Sequence, residues 1–280
     1  MDVDRYLHRL DYHGPRTPTP EVLEALHVAH LRAVPFENLS IHRSDPDVLD
    51  CDALFDKIVV RRRGGFCYEQ NGLFAALLRA RGFVVRLLSA RVRQKDGAYS
   101  PDFDHLALLV DLEEPYLADV GFGEAFLRPL RLREGLLQRQ GAKAFALDRS
   151  GEVWTLLDRS GQESPEALYR FTLAPRVLSG FAGRCRYHAS SSESHFAKKT
   201  VCTRATPGGR ITLSGDRYIV TEDGVRSERT VTEAEHAELL ARSFGIVLGA
   251  PAQRTPSPAA TDSTRMRIPG EDLTSRPPAR

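Results

Sequence analysis

The sequence predicts an α+β fold on three observations. Apolar residues recur at helical spacing through residue 82, β-rich runs separated by Gly, Pro, Asp and Ser turns take over from Phe83, and the two patterns do not alternate. Strict alternation would argue for a doubly wound parallel sheet. Helices followed by strands argue instead for α+β, with an antiparallel sheet or barrel in the middle of the chain.

Thr19–Pro20–Glu21 starts the first clear helix, with a capping hydroxyl, proline at the first helical position and an acid in the first turn. Leu23, Leu26, His30 and Leu31 share one face, His27 and His30 read as structural or surface residues, and Pro35 ends the helix. A loop from Phe36 to Asp50 carries Glu37 and His42. Asp50 or Asp52 then caps a short helix through Ala53, Leu54, Phe55 and Ile58. The next helix carries Leu73, Phe74, Leu77 and Leu78 on an apolar face and reaches a glycine stop at Gly82.

Strand character follows at Phe83–Val92, His105–Leu112, Tyr116–Val120, Lys143–Leu147, Val153–Leu157 and Tyr169–Leu173. Leu130–Gly141, rich in Arg and Gln, reads as an irregular connection or short helix. Residues 178–198 are dominated by Ser, Gly, His and Arg. Strands return at Thr200–Arg204, Arg210–Ser214 and Arg217–Thr221, with a Pro207–Gly208–Gly209 turn between the first two, and Val231–Phe244 closes as an amphipathic helix capped by Thr230 or Thr232. Ala250–Arg280 shifts to Pro, Ser, Thr, Ala and Arg, a composition expected of a disordered tail.

A chain of 280 residues, 41% hydrophobic and 27% charged with a formal charge of +2, is ordinary for a globular protein and gives no case for a nucleic-acid or membrane partner. Four cysteines lack any CxxC pair or Cys/His zinc spacing, so no metal is expected. The N-terminus lacks a secretory pattern and no apolar run approaches the ~20 residues of a membrane span. A reducing cytoplasm is the expected setting, and it would keep a catalytic thiol free.

The chemistry gathers around Cys67. It falls in the first turn of its helix, where unpaired N–H groups, the helix dipole and nearby arginines predict a thiol below its ordinary value of about 8.5. Gly64 and Gly65 before it permit positive φ and close backbone approach. One cysteine before an apolar helix is more often a small buried hydrophobe. Two further residues shift that balance: His105 starts a strongly apolar strand and Asp119 ends the next one, so adjacent antiparallel strands bring a base and a carboxylate together.

The runs RRRGGFCYEQNGLF, DHLALLV and YLADVGFG, with the upstream Val34–Leu39 segment VPFENL, resemble the arylamine N-acetyltransferases in order and spacing. The resemblance covers roughly residues 1–250. It implies a helical domain over 1–82 carrying the nucleophile, a β-barrel domain over 83–177 carrying His and Asp, and an α/β lid over 178–249. By motif match it makes Cys67 the nucleophile, His105 the base and acid and Asp119 the orienting carboxylate of a cysteine-protease-like Cys–His–Asp triad. The implied reaction is ping-pong acetyl transfer from acetyl-CoA to an aromatic amine or hydrazine, as in xenobiotic metabolism. Independently of the resemblance, the helix start offers backbone N–H groups that are expected to stabilise the oxyanion.

The resemblance also implies that Arg63 and Glu37 form a buried pair bracing the catalytic turn and that Asn71 lies near the triad carboxylate. It puts Phe36, Val92, Phe122 and Phe196 around the acceptor and the Gly121–Phe122–Gly123 turn, Gly123 included, beside coenzyme A, where glycine admits backbone N–H groups to anionic oxygen. Core packing and structural support are the competing readings for each of these residues. Asp104 departs from the threonine frequent in bacterial relatives and bears on acceptor preference or on His105 only if it does not face solvent. His188 and His195, in a Ser-rich loop, are expected at the surface. Competing functions are an amide synthase or longer-acyl-CoA transferase on the same scaffold, a papain- or transglutaminase-like hydrolase, and a non-catalytic CoA- or partner-binding relative. A homodimer is left open.

Overall fold

A computed structural model describes residues 1–43, 49–161 and 164–249. The proposed disordered tail, 250–280, lies outside the described residues. The N-terminal third is helical: α1 (Val3–Arg9), α2 (Pro20–Ala33), α3 (Leu39–Arg43), α4 (Cys51–Phe55), a π-helical turn (Asp56–Val60) and α5 (Cys67–Ala80). The anticipated caps form, with Thr19 accepting from Val22 N–H and Asp50 from the Asp52 and Ala53 N–H groups. From Cys67 to Ala75 every residue of α5 is buried, so this helix is enclosed on all sides rather than packed along one stripe.

Between the helices and the chain end lies an eight-stranded antiparallel sheet. Its strands are β2 (Val84–Val92), β3 (His105–Asp111), β4 (Tyr116–Ala118), β5 (Leu130–Arg131), β6 (Gln138–Gln140), β7 (Lys143–Ser150), β8 (Val153–Asp158) and β9 (Glu166–Phe171), in the order β5-β4-β3-β2-β9-β8-β7-β6. The two end strands are tied by a side chain: Gln138 Oε1 accepts from Arg131 N–H at 2.8 Å and its Nε2 donates to Arg131 C=O at 3.1 Å, which makes the sheet a nearly closed barrel. Leu130–Gly141 therefore contains two short strands, not the irregular connection or helix expected. Its glutamines supply the pairing that so short a backbone ladder lacks.

β3 explains its own unbroken apolar run. Leu106, Leu108 and Val110 join the helical core with Leu73, Phe74 and Leu77 of α5, while Ala107 and Leu109 join the barrel core with Phe126, Phe145 and Tyr169. Both faces of the strand are buried, so hydrophobicity does not alternate. This sandwiching fixes His105, at the head of β3, beside the start of α5.

The last segment has a 3₁₀ turn (Leu178–Phe181), helices α6 (Ala182–Ser190) and α7 (His195–Lys198), strands β10 (Val201–Thr206), β11 (Gly209–Ser214), β12 (Arg217–Glu222) and β13 (Val225–Thr230), and helix α8 (Glu233–Phe244) capped by Thr232. The helical character of Ala182–Ser190 and the strand at Val225–Thr230 were not expected. Every residue of β13 is exposed, so it shows none of the period-2 apolar signal by which strands are recognised. Leu239, Leu240 and Phe244 of α8 cover Cys202 and Leu213 of this sheet.

A two-residue strand, β1 (Phe36–Glu37), leaves the helical segment and pairs antiparallel with β10 (Phe36↔Thr203, Glu37↔Cys202), making a five-stranded sheet β1-β10-β11-β12-β13. Two arginines secure the helix ends nearby. Arg9 donates to Ile58 and Ala33 C=O, and Arg204 to Arg32 and Ser243 C=O, placing guanidinium charge at the C-termini of α2, the π-turn and α8. No helix among the described residues is long and apolar enough to cross a membrane.

Candidate active site

The turn before Cys67 is shaped by contact. Neither Gly64 nor Gly65 has a positive φ; that conformation falls on Arg62, at 53°. Their glycine requirement is steric, since a Cβ on Gly64 would stand 1.9 Å from Pro35 C=O and one on Gly65 2.6 Å from Glu69 Oε2. Glu69 accepts from Phe66 N–H at 3.1 Å and pairs with the buried Lys57 at 2.6 Å. Arg63 Nε lies 2.9 Å from Glu37 Oε1 with both side chains buried, and Arg63 also reaches Ser40 Oγ.

Cys67 opens α5 and is 5% exposed. His105 Nε2 donates to Asp119 Oδ2 at 2.6 Å, which leaves Nδ1 as its second ring nitrogen for a proton. Asn71, one turn beyond Cys67, donates from Nδ2 to Asp119 Oδ1 (2.8 Å) and Leu106 C=O (2.6 Å) and accepts from Val120 N–H (2.9 Å). Burial raises the Asp119 carboxyl, but His105, Asn71 and the Gly121 N–H outweigh it and hold the group below its ordinary value.

The thiol does not follow the expectation from helix position. Burial pushes Cys67 well above its ordinary value, against a Leu106 N–H that favours the thiolate, and the Asp119 and Asp104 charges push it further up. The first helical turn is visible in sequence; the loss of water around the sulfur is not. A thiolate in this enclosure therefore requires a proton acceptor beside it.

Cys67 and His105 line one cavity of about 390 Å³ with Phe36, Val92, Phe122, Gly123 and Phe196. All five residues expected to touch substrate thus share one space with the sulfur and the imidazole. Asp119 stands behind His105, in the wall of an adjoining cavity of about 480 Å³ that shares Phe122 and Gly123. Gly121 lines the first cavity too and has a packing role besides. Its N–H donates to Asp119 Oδ1 at 2.9 Å, and a Cβ there would meet Cys67 Cα at 2.7 Å, so Gly121 seats the aspartate turn on the cysteine helix.

Three residues surface here that the sequence did not single out for the site. His27, buried in α2, accepts from Asp119 N–H through Nε2 (3.1 Å) and donates from Nδ1 to Leu127 C=O (2.9 Å). Gln70 Nε2 donates to Gly65 C=O (2.8 Å) and Pro35 C=O (3.3 Å), bracing the turn from below. Tyr68 OH hydrogen-bonds to the carbonyls of Phe103 and Asp104, both at 2.9 Å. The only signals available were the adjacency of Tyr68 and Gln70 to Cys67 and the placement of His27 on a buried helical face. His188, expected at the surface, is 2% exposed and bonded to Asp104, while His195 is exposed at the cavity rim.

A family model described as N-acetyltransferase matches residues 19–253. The chain is 35% identical to an arylamine N-acetyltransferase of Mycolicibacterium smegmatis, covering 89% of this chain and 93% of the relative. It is 34% identical to that of Escherichia coli K12, covering 79% and 80%. Among solved structures it is similar to the arylamine N-acetyltransferase of Salmonella typhimurium (TM-score 0.83, 34% identity, 87% of this chain and 90% of that one). It is also similar to the Mycobacterium marinum arylamine N-acetyltransferase in complex with CoA (TM-score 0.81, 33% identity, 88% and 93%). By sequence, by fold and by the residues gathered at Cys67, the chain belongs to the arylamine N-acetyltransferase family.

Proposed function

We propose that this protein transfers an acetyl group from acetyl-CoA to an arylamine or arylhydrazine through an acetyl-Cys67 intermediate. The observation that carries the reading is the single cavity holding the Cys67 sulfur, the His105 ring and the aromatic side chains of Phe36, Phe122 and Phe196, with Asp119 bonded to His105. The CoA-bound M. marinum relative supports coenzyme A as the donor's carrier.

Residues 1–82, 83–177 and 178–249 act in this reading as nucleophile, base and covering domains. His105 takes the Cys67 proton on its Nδ1, while Asp119 holds Nε2–H and offsets the charge on the ring. The thiolate attacks the thioester carbon, and N–H groups at the start of α5, unpaired within the helix, receive the oxyanion. The bond to the CoA sulfur breaks and that sulfur takes the proton from His105. An aromatic amine then attacks the acetyl-cysteine, His105 accepts the amine proton, and Cys67 leaves with the proton returned to it. Flat rings around the cavity suit a flat acceptor. Arg63 with Glu37, and Asn71, brace the site without touching substrate. Chemistry that depends on an unoxidised thiol suits a reducing compartment, and we assign the protein to the cytoplasm.

Intact-protein mass spectrometry after mixing with acetyl-CoA alone tests the reading. One acetyl group on the Cys67 peptide, removed by a subsequent arylamine and absent from Cys67→Ser and Cys67→Ala, is the expected result. Normal turnover in either variant overturns it.

A further inference from the structure

Asp104, the residue before His105, carries a buried polar relay that ends on an aromatic wall of the cavity. Its Oδ1 accepts from Arg184 Nε (3.0 Å), from a second Arg184 nitrogen, and from His188 Nε2 (2.9 Å). Burial raises the Asp104 carboxyl, but hydrogen bonds from His188 and Arg184 outweigh that and hold it well below the ordinary carboxylate range. His188 Nδ1 lies 3.2 Å from the buried Ser194 Oγ, and Ser194 Oγ accepts from Phe196 N–H at 3.2 Å. Four residues thus run without a break from the catalytic strand to the backbone of Phe196.

The other end of Phe196 is held separately, its carbonyl accepting from Asn38 Nδ2 and bonded to His42 Nε2, both at 2.9 Å. The ring stands 5.9 Å from Phe36 and 6.1 Å from Phe66, facing the cavity that holds Cys67. With the carbonyl anchored from the helical side, the amide end decides how far the ring leans into the cavity. No hydrogen bond of the relay reaches the sulfur or the His105 ring. The Asp104 charge does bear on the Cys67 thiol, but that effect is common to every acceptor, so what differs between acceptors is the fit of whatever occupies the space beside Phe196.

We propose that Asp104 is a positioning residue for acceptor choice: through His188 and Ser194 it fixes the Phe196 ring at the separation from Phe36 that admits a flat aromatic amine. This rests on the acyl-transfer reading above. A buried charged anchor suits the task because a carboxylate bonded to two cationic or polar partners tolerates little change of geometry.

The test compares the full-length protein with Asp104→Asn and Ser194→Ala, using an aniline and methylhydrazine as acceptors, with acetyl-Cys67 formation followed by mass. Both variants are expected to raise KM for the aniline by roughly tenfold relative to methylhydrazine, through KM rather than kcat. A merely structural role would lower kcat/KM for both acceptors in the same proportion, and that result overturns the inference. If Asp104→Asn fails to fold, Ser194→Ala decides alone, since it deletes one hydroxyl and leaves the Asp104 ion pair in place. Absence of acetyl-Cys67 in the unmutated protein sinks the acyl-transfer reading. Normal acetyl-Cys67 with an unchanged acceptor ratio in the variants sinks this inference only.

Discussion

His27 Nε2 accepts the backbone N–H of Asp119 at 3.1 Å, so a helix at one end of the chain holds the carboxylate that orients His105. The bond requires a neutral ring, and burial supplies one by pushing His27 down to about 4. His30 is buried likewise and pushed down to about 3, donating to Gln70 Oε1 and accepting from Tyr6 OH.

Both histidines have folded values below the ordinary one near 6.5, so the unfolded chain binds more protons between those limits. Their stabilisation is full above about pH 6.5 and is lost as pH falls, by roughly 3 kcal/mol for His27 toward pH 4 and roughly 5 kcal/mol for His30 toward pH 3. Urea unfolding at stepped pH is expected to show this slope, and His27→Gln to flatten it. An identical slope in His27→Gln would remove His27 from the account.

Because burial disfavours an isolated thiolate at Cys67, its reactivity at neutral pH depends on His105. In His105→Gln, alkylation by iodoacetamide should require pH above the free-thiol value of about 8.5, whereas the parent protein should react below it. Matching pH profiles for the two proteins would show that the helix start alone suffices.

Glu37→Gln leaves Arg63 buried without its carboxylate at Oε1 and also weakens the bond that Glu37 Oε2 accepts from Leu39 N–H at 2.7 Å. A loss of about 3–5 kcal/mol in unfolding free energy is expected. A double change to apolar residues of similar volume should cost less than the single one. Equal losses would indicate that the charge is already well solvated.

Gly121→Ala places a methyl group 2.7 Å from Cys67 Cα and 2.9 Å from Cys67 C=O, backbone atoms that cannot swing aside. Overpacking of this kind costs typically about 1–3 kcal/mol. Here it should also cut acetyl-Cys67 formation, because the shift that relieves it separates Asp119 from the cysteine helix. Gly141→Ala, at a positive φ of 64° with no neighbour near its Cβ position, serves as the control for backbone strain without crowding.

The α+β layout was legible because the periods change cleanly at Phe83 and because Thr19, Asp50 and Thr232 are strong local caps. The motif around Cys67 and its partners at His105 and Asp119 was legible for a similar reason: Cys67 and His105 each start an element and Asp119 follows directly on one, so position along the chain predicts position in space. What was hidden depends on neighbours far away in sequence. The strands at 130–131 and 138–140 are joined by the Gln138 side chain, β13 has no buried face, and α6 buries only Cys185 and His188. The displaced thiol and the buried His188 belong to the same class, since both follow from desolvation by segments that no local window contains.

The pairing of Phe36 and Glu37 with Cys202 and Thr203 has a consequence for synthesis. A nascent chain presents β1 long before its partner strand is made, and at ~5–20 residues per second that interval is on the order of ten seconds or more. For the latter part of it Cys67, His105 and Asp119 all exist in the polypeptide, while Phe196 and Thr203, which complete the cavity wall, do not. The cavity around Cys67 therefore cannot close until the last sheet has been made, and an incomplete chain carries Cys67, His105 and Asp119 without the full wall that encloses them.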